Sequence, residues 1–182
     1  MIVVINGPSS CGKTSAAAAL TNIAPGAWLR FSVDDFISAL PPKLIGSPAG
    51  LIISETGTVS TGSTFHLLFD AWLSALGHLA RTGVHVVYDD VLLDPIASTR
   101  TLSRAFSGSD IFWVALECSP DELARREATR NNRPTGMAVT QLNCVDDRYA
   151  ADIRIATDRL TPEQIAQEIL DCLTESGRQL SK

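Results

Sequence analysis

The stretch "GPSSCGKT", residues 7–14, decides how the rest of this chain is interpreted. It matches the pattern G-x-x-x-x-G-K-[ST] at every fixed position. An apolar, β-branched run precedes it at residues 2–5, and an alanine-rich run follows it at residues 14–21. The motif is therefore predicted to join a buried strand to a helix. In that context a glycine-rich turn presents backbone N–H groups at a helix N-terminus, which favours binding of an anion.

The fixed residues of this loop suit the phosphate chain of a nucleotide. Gly7 and Gly12 let the backbone curl so that its N–H groups point inward. Lys13 would bring a point charge to the β- and γ-phosphates, which makes it a catalytic candidate, and Thr14 would offer its hydroxyl to Mg²⁺. We therefore predict that the whole loop binds ATP through Gly7, Pro8, Ser9, Ser10, Cys11, Gly12, Lys13 and Thr14.

Composition and charge narrow the class of protein. The 182 residues carry a net charge of −5 and a pI of about 5.1, whereas general nucleic-acid binders are basic, so we expect no nucleic-acid partner. No apolar run reaches the ~18 residues that a membrane span needs, so we expect no membrane partner either. The four cysteines form no C-x-x-C pair, which favours reduced thiols in the cytoplasm over a zinc site or a disulfide framework.

Strand-like and helix-like segments alternate along the chain. Helical patterns include a long apolar stripe over residues 64–82, which Gly83 ends. The alternation predicts a three-layer α/β fold in which helices cover both faces of a central five-stranded parallel sheet. After the first strand, the remaining strands are predicted at residues 29–33, 84–90 ("VHVVYDD"), 111–118 ("IFWVALEC") and 152–156.

Local signals mark two helix starts and one long connection. "SPDE" places Ser119 at the N-cap and Glu122 at N3, which predicts a capping box, and "TPEQ" from Thr161 repeats the pattern before the final helix. The basic segment between them, residues 125–133, is predicted as another helix. Residues 42–62 are rich in Gly, Ser, Thr and Pro, which predicts a loop with a small hairpin at "IISETGTVS".

Two pairs of adjacent carboxylates follow predicted strands. Parallel strands end at the edge of the sheet where ligands bind, so Asp34-Asp35 and Asp89-Asp90 should face the same crevice as the loop. Asp34 is our candidate for the base that takes a proton from an acceptor hydroxyl, with helix capping as the alternative, and Asp35 is expected to start a helix. One of Asp89 and Asp90 is predicted to support Mg²⁺, with a purely structural role as the alternative.

Arginines are concentrated late in the chain, in "ARREATRNNRPTG". Arg126 and Arg130 would share one face of a helix, and Arg133 lies in a strong loop signal. Such a cluster can fold over bound phosphates as a lid, exclude water and stabilise the transferring charge. The alternative is an ordinary solvated helix face on which Glu127 partly neutralises the arginines.

Several stretches together resemble the chloramphenicol 3-O-phosphotransferase family: "INGPSSCGKTS", "WLRFSVDDFISALP", "VVYDDVLL" and "RREATRNNRPTGMA". The resemblance implies a P-loop nucleoside/shikimate-kinase-like fold that uses ATP and Mg²⁺ to phosphorylate a hydroxyl of a small antibiotic-like molecule. It implies that Asp34 activates the hydroxyl and that Arg130 and Arg133 act as catalytic lid residues. Arg126, on the same predicted helix face as Arg130, is our candidate for contacting the nucleotide. The resemblance also implies a lid at residues 125–136 and an acceptor-side wall at residues 42–62.

The sequence therefore predicts a single kinase domain over residues 1–182, whose partners are ATP and a small hydroxylated acceptor. Two other functions stay open at this point. One is a kinase for a metabolite, such as a shikimate-like, sugar-acid-like or nucleotide-like acceptor. The other is a regulatory module that binds ATP without catalysis. Assembly into a homo-oligomer is also left open.

Overall fold

The computed structural model describes residues 1–54, 57–129, 141–142 and 150–178. Within these ranges the chain forms seven strands, six α-helices and one short 3₁₀-helix (Pro42–Leu44). In chain order the elements are β1 (Ile2–Asn6), α1 (Lys13–Ile23), β2 (Trp28–Ser32), α2 (Val33–Ala39), β3 (Leu51–Ile53), β4 (Val59–Thr61), α3 (Ser63–Arg81), β5 (His85–Asp90), α4 (Pro95–Ala105), β6 (Ile111–Glu117), α5 (Pro120–Ala128), β7 (Ile153–Ala156) and α6 (Pro162–Glu175).

Five strands form one parallel sheet in the order β2-β5-β1-β6-β7, which confirms the predicted five-stranded parallel sheet. All residues of β1 are buried because helices cover both faces of the strand. Val3 and Ile5 belong to the core that includes residues of α1 and α6, whereas Ile2 and Val4 belong to the core that includes residues of α3 and α4. Apolar residues at every position of β1 follow from this two-sided burial.

The register of the sheet brings the ends of three strands together. Asn6, the last residue of β1, lies beside Asp90 of β5, and Ser32, the last residue of β2, lies beside Asp89. β1 leads directly into the glycine-rich loop and β2 leads directly into α2. The loop, the start of α2 and the carboxylates of β5 therefore meet at one edge of the sheet, as the strand-end rule predicts.

Residues 42–62 are more regular than a loop. They contain the 3₁₀-helix and an antiparallel hairpin of β3 and β4, which confirms the predicted hairpin. Leu44 and Leu51 pack with Phe36 of α2 and Phe65 of α3 in a third apolar cluster. Burial of these apolar side chains holds the segment against the two helices, so its Gly, Ser and Pro residues form turns within an ordered unit.

The helices of the second half depart from the sequence prediction in two ways. α4 was not predicted, although Asp94 accepts a hydrogen bond from the Ala97 amide as an N-cap and Pro95 begins the helix. The separate basic helix predicted from residue 125 was wrong at its start, because Arg125 and Arg126 form the last turn of α5.

Every helix in the described ranges is too short or too polar to cross a bilayer.

The two predicted capping boxes have different outcomes. At Thr161 the box is complete, since Thr161 and Gln164 each accept the other's backbone N–H. At Ser119 only half of it forms, because the Ser119 hydroxyl accepts from the Glu122 amide while the Glu122 carboxylate binds two arginines. The Ser119 amide instead donates to the carboxylate of Asp158.

Candidate active site

The backbone of the glycine-rich loop explains its two glycines. A Cβ at Gly7 would lie 2.6 Å from the Leu116 carbonyl oxygen and 2.7 Å from the Cys11 sulfur, so a side chain does not fit there. Gly12 has φ of 101°, a left-handed conformation that favours glycine. Ser10 also lies in the left-handed region, with φ of 64°. The loop therefore has the tight inward curl that the motif predicts.

Lys13 lies across this loop with its ammonium group turned back on the backbone. Its Nζ donates to the carbonyl oxygens of Gly7 and Pro8, at 2.8 Å each, and only 8% of the residue is exposed. Cys11 is fully buried, and this burial raises the pKa of its thiol, so the group stays protonated. The cationic group of the loop is thus Lys13, and Cys11 serves as a small packing residue.

Asp89 faces the loop. Thr14 Oγ1 donates to Asp89 Oδ1 at 3.3 Å, whereas Asp89 Oδ2 is buried and has no hydrogen-bond partner among the described residues. Burial raises the pKa of Asp89 to about 6, and the charge of Lys13 and the bond from Thr14 oppose this shift. An unpartnered buried carboxylate oxygen beside a threonine hydroxyl is a hard-oxygen donor set, which fits Mg²⁺.

Asp90 has a different environment from its neighbour. Its Oδ2 accepts from the Tyr88 hydroxyl at 2.9 Å, and its Oδ1 accepts from the Val91 amide at 2.6 Å. Burial raises the pKa of Asp90 to about 7, although both hydrogen bonds act to lower it. Both oxygens of Asp90 are therefore engaged within β5 and the residue after it.

The two adjacent carboxylates of α2, Asp34 and Asp35, also have different environments. Ser32 caps the helix, with its hydroxyl accepting from the Asp35 amide at 3.1 Å and its amide donating to Asp35 Oδ2 at 2.7 Å. This reciprocal pair is a capping box, so Asp35 starts the helix as expected. Asp34 is not part of the box; it is exposed and lines the cleft beside the loop.

One cleft brings the predicted residues together. It is open to solvent and lies at the carboxyl ends of β1, β2 and β5. Asp34 and Asp89 share it with the loop, whereas Asp90 is not among its lining residues. The residues that line the cleft are Ser9, Ser10, Gly12, Lys13, Thr14, Val33, Asp34, Asp89 and Val91.

One arginine of α5, Arg126, contacts the loop directly. Arg126 donates to the Cys11 carbonyl oxygen at 3.2 Å and to the Thr157 carbonyl oxygen at 2.7 Å, so it joins the loop to the segment after β7. Glu122 accepts hydrogen bonds from both Arg125 and Arg126. Glu122 is therefore a carboxylate that pairs with both of these arginines. Arg130 and Arg133 lie outside the described residues, as does most of the segment 125–136.

Two polar residues at this edge of the sheet were missed by sequence reasoning. Gln141 Oε1 accepts a hydrogen bond from the Ser9 amide at 2.8 Å, across a separation of 132 residues, and no local pattern marks it. Asn6 Oδ1 accepts from the Leu92 amide at 2.9 Å and so joins the end of β1 to the chain after β5. The position of Asn6 directly before the motif was the one available signal.

The fold and the loop together define a class of protein: this chain is a kinase-type phosphotransferase with a P-loop. It belongs to the chloramphenicol phosphotransferase-like protein family, whose model matches residues 1–174. A Mycobacterium tuberculosis (strain H37Rv) protein named "Putative O-phosphotransferase Rv2636" is 27% identical over 180 residues, with 92% of this chain and 80% of that protein covered.

Solved structures with the same fold include two kinases and one resistance protein. A sugar kinase from Janibacter sp. HTCC2649 has a TM-score of 0.70 at 18% identity, covering 95% of this chain and 94% of that one. A Deinococcus radiodurans tunicamycin resistance protein has a TM-score of 0.66 at 21% identity, covering 100% and 98%. An Aquifex aeolicus shikimate kinase has a TM-score of 0.62 at 16% identity, covering 98% and 99%. At these identities the likeness concerns the fold.

Proposed function

We propose that this chain transfers the γ-phosphoryl group of ATP to a hydroxyl of a small antibiotic-like molecule. The observation that carries the proposal is the shared cleft, in which the exposed carboxylate of Asp34 lies beside a phosphate loop that holds Lys13. A kinase needs a base for the acceptor hydroxyl next to the transferring phosphate, and the presence of Asp34 and Lys13 in one cleft supports these two roles. The family match supports the antibiotic-like acceptor.

In the proposed reaction, Asp34 accepts the proton of the acceptor hydroxyl. The hydroxyl oxygen forms a bond to the γ-phosphorus while the bond from that phosphorus to the β–γ bridging oxygen breaks, which leaves ADP. Lys13 stabilises the negative charge of the transferring group. Because Asp34 is exposed, it can release its proton to solvent before the next turnover.

Thr14 and Asp89 are the residues that would hold Mg²⁺ in this site. The Thr14 hydroxyl and the unpartnered Asp89 Oδ2 supply oxygen ligands, and Mg²⁺ commonly takes only one or two protein ligands besides phosphates and water. The ion would contribute positive charge toward the phosphate oxygens. Asp90 is excluded from this role in the proposal, because both of its oxygens already accept hydrogen bonds.

The remaining assignments rest on the sequence and its resemblance to the family. Arg130 and Arg133 are proposed as catalytic residues of a lid over residues 125–136, and Arg126 as a residue that contacts the nucleotide. Residues 42–62 are proposed as the wall of the acceptor pocket, and residues 1–182 as a single kinase domain. We further propose that the protein works in the cytoplasm.

A panel of acceptors tests the proposed function. Purified protein is incubated with radiolabelled ATP, Mg²⁺ and one acceptor at a time: chloramphenicol, other hydroxylated antibiotics, shikimate, gluconate and nucleosides. We expect label transfer to an antibiotic hydroxyl. Label transfer only to a sugar acid, shikimate or a nucleoside would show that the protein is a metabolite kinase and not an antibiotic kinase. ATP binding without any acceptor-dependent ADP release would indicate a regulatory module instead.

A further inference from the structure

Gln141 contacts the phosphate loop from a distant part of the chain. Its Oε1 accepts the Ser9 backbone N–H at 2.8 Å, and only 4% of the residue is exposed. The P-loop motif specifies no glutamine, and the established class of the protein assigns this residue no role. The contact is therefore a feature of this chain that the shared motif leaves unexplained.

The atom that Gln141 contacts is one of the backbone N–H groups of the phosphate loop. Backbone N–H groups of the loop bind phosphate oxygens, and one N–H cannot donate at full strength to two acceptors. Ser9 also lines the cleft that contains Lys13 and Asp34. The side-chain carbonyl oxygen of Gln141 thus occupies a backbone donor of a residue that lines this cleft.

The next residue, Ser10, has a hydroxyl that could donate a hydrogen bond to a phosphate oxygen at the same place in the loop. The hydroxyl of Ser10 is buried and has no hydrogen-bond partner among the described residues, and the residue lines the same cleft. Ser10 also adopts a left-handed backbone with φ of 64°, which is uncommon for serine. Residues 9 and 10 of the loop therefore present two neighbouring donors: the Ser9 amide, which donates to Gln141, and the Ser10 hydroxyl, which has no partner among the described residues.

We propose that Gln141 is a placeholder for a terminal phosphate oxygen, displaced from the Ser9 amide by a nucleoside triphosphate but not by a diphosphate. This inference rests on the proposed use of the loop to bind ATP. Ser9 lies in the half of the loop remote from α1, whose N-terminus begins at Lys13 and would attract the inner phosphates. An anionic phosphate oxygen displaces the neutral side-chain oxygen of Gln141 because charge-assisted hydrogen bonds are roughly twice as strong as neutral ones.

The consequence is selection on the third phosphate. Binding of a triphosphate has to break the bond between Gln141 and Ser9, whereas a diphosphate leaves it in place. Gln141 would therefore weaken triphosphate binding alone. Once transfer has left ADP, the bond can form again, so the empty and the ADP-bound loops share one arrangement.

Calorimetric titration with a non-hydrolysable ATP analogue and with ADP, both with Mg²⁺, tests the proposal. We expect Gln141→Ala to bind the analogue about threefold to tenfold more tightly than the wild type, the range for one ordinary hydrogen bond, and to bind ADP within about twofold. Gln141→Glu should weaken analogue binding by more than about tenfold, because a carboxylate holds the amide more strongly and repels phosphate. Gln167→Ala, which truncates an exposed glutamine of α6, is the matched control.

The ratio of the two affinities separates this role from a structural one. Analogue binding that stays the same or weakens in Gln141→Ala, or equal changes for both nucleotides, would overturn the placeholder and leave the proposed function standing. Gln141→Asn, whose shorter side chain does not reach the amide, repeats the test if the alanine variant does not fold. A wild-type protein that binds neither nucleotide would overturn the proposed function and the placeholder together.

Discussion

At the scale of single residues, Asp34 and Asp35 show how neighbouring carboxylates acquire different environments. A capping box links the residue before the helix to the third helical residue, and here those positions are Ser32 and Asp35. Asp34 lies between them, so its side chain takes no part in the box and lines the cleft instead. The geometry of the helix start separates the two carboxylates.

The proposed base is tested by the isosteric pair Asp34→Asn and Asp35→Asn. We expect Asp34→Asn to lower kcat by about 10²- to 10⁴-fold, the range for loss of a general base, with ATP affinity unchanged within about twofold. Asp35→Asn should keep most of kcat and lose about 0.5–2 kcal/mol of the free energy of unfolding, because it weakens a helix cap. Steady-state kinetics measure kcat for both variants, and urea unfolding measures their free energies of unfolding. Equal losses of kcat in the two variants would contradict the role of Asp34 as the base.

Asp89 and Asp90 differ in which of their oxygens are already engaged. We expect Asp89→Asn to raise the Mg²⁺ concentration for half-maximal rate by about 10- to 100-fold, because the amide removes a charged ligand beside Thr14. Asp90→Asn should leave this concentration nearly unchanged and lower the free energy of unfolding by about 1–2 kcal/mol, since it alters the bonds to Tyr88 and Val91. Rate measurements across a Mg²⁺ titration test this prediction. A larger rise in the half-maximal Mg²⁺ concentration for Asp90→Asn than for Asp89→Asn would mean that Asp90 is the metal ligand.

At the scale of elements, the packing of α3 against α4 depends on one glycine. Gly77 lies inside α3 and is buried, and a Cβ there would collide with the backbone oxygen of Ala105 at the end of α4. Helix propensity alone predicts that alanine at this position stabilises the helix by about 1 kcal/mol. The close approach of the two helices opposes that gain.

We therefore expect Gly77→Ala to destabilise the protein by about 1–3 kcal/mol, the usual range for overpacking a tight contact. Ser74→Ala, at an exposed position of the same helix, is the control and should stay within about 0.5 kcal/mol of the wild type. Chemical denaturation of the two variants measures both values. A stabilised Gly77→Ala protein would show that α3 and α4 move apart at little cost.

At the scale of the whole molecule, His85 couples stability to pH. The residue is 4% exposed, its ring stacks on Trp28 with centroids 4.7 Å apart, and neither ring nitrogen has a partner among the described residues. Burial lowers the pKa of His85 from its ordinary value near 6.5, so the folded state takes up this proton less readily than the unfolded state. Stability from this group is full above about pH 6.5 and is lost as the pH falls below it toward the folded pKa.

His85→Phe keeps the aromatic stack and removes this titration. We expect the difference in Tm between His85→Phe and the wild type to widen in favour of the variant from pH 7.5 to pH 5.5. His78→Gln, at an exposed position of α3, should show no such widening. Thermal unfolding at both pH values measures the effect. A constant difference in His85→Phe would mean that His85 is protonated equally in the folded and unfolded states.

The sequence by itself determined the features that depend on neighbouring residues. The P-loop, the five parallel strands, the hairpin and the role of Asp35 at a helix start were all predictable, because capping, turn geometry and strand burial act over a few residues. Only half of the box at Ser119 formed, because Arg125 and Arg126 compete for the Glu122 carboxylate once the helix is built.

The tertiary structure alone decided which distant groups share an environment. Sheet order and register placed Asp89 beside Thr14, while the Tyr88 hydroxyl engages Asp90. Packing of separate elements brought Gln141 to the Ser9 amide and Gly77 against α4. The contacts of Asp89, Gln141 and Gly77 join residues far apart in the chain, so their energies depend on the assembled sheet and its helices, and no local pattern of residues records them.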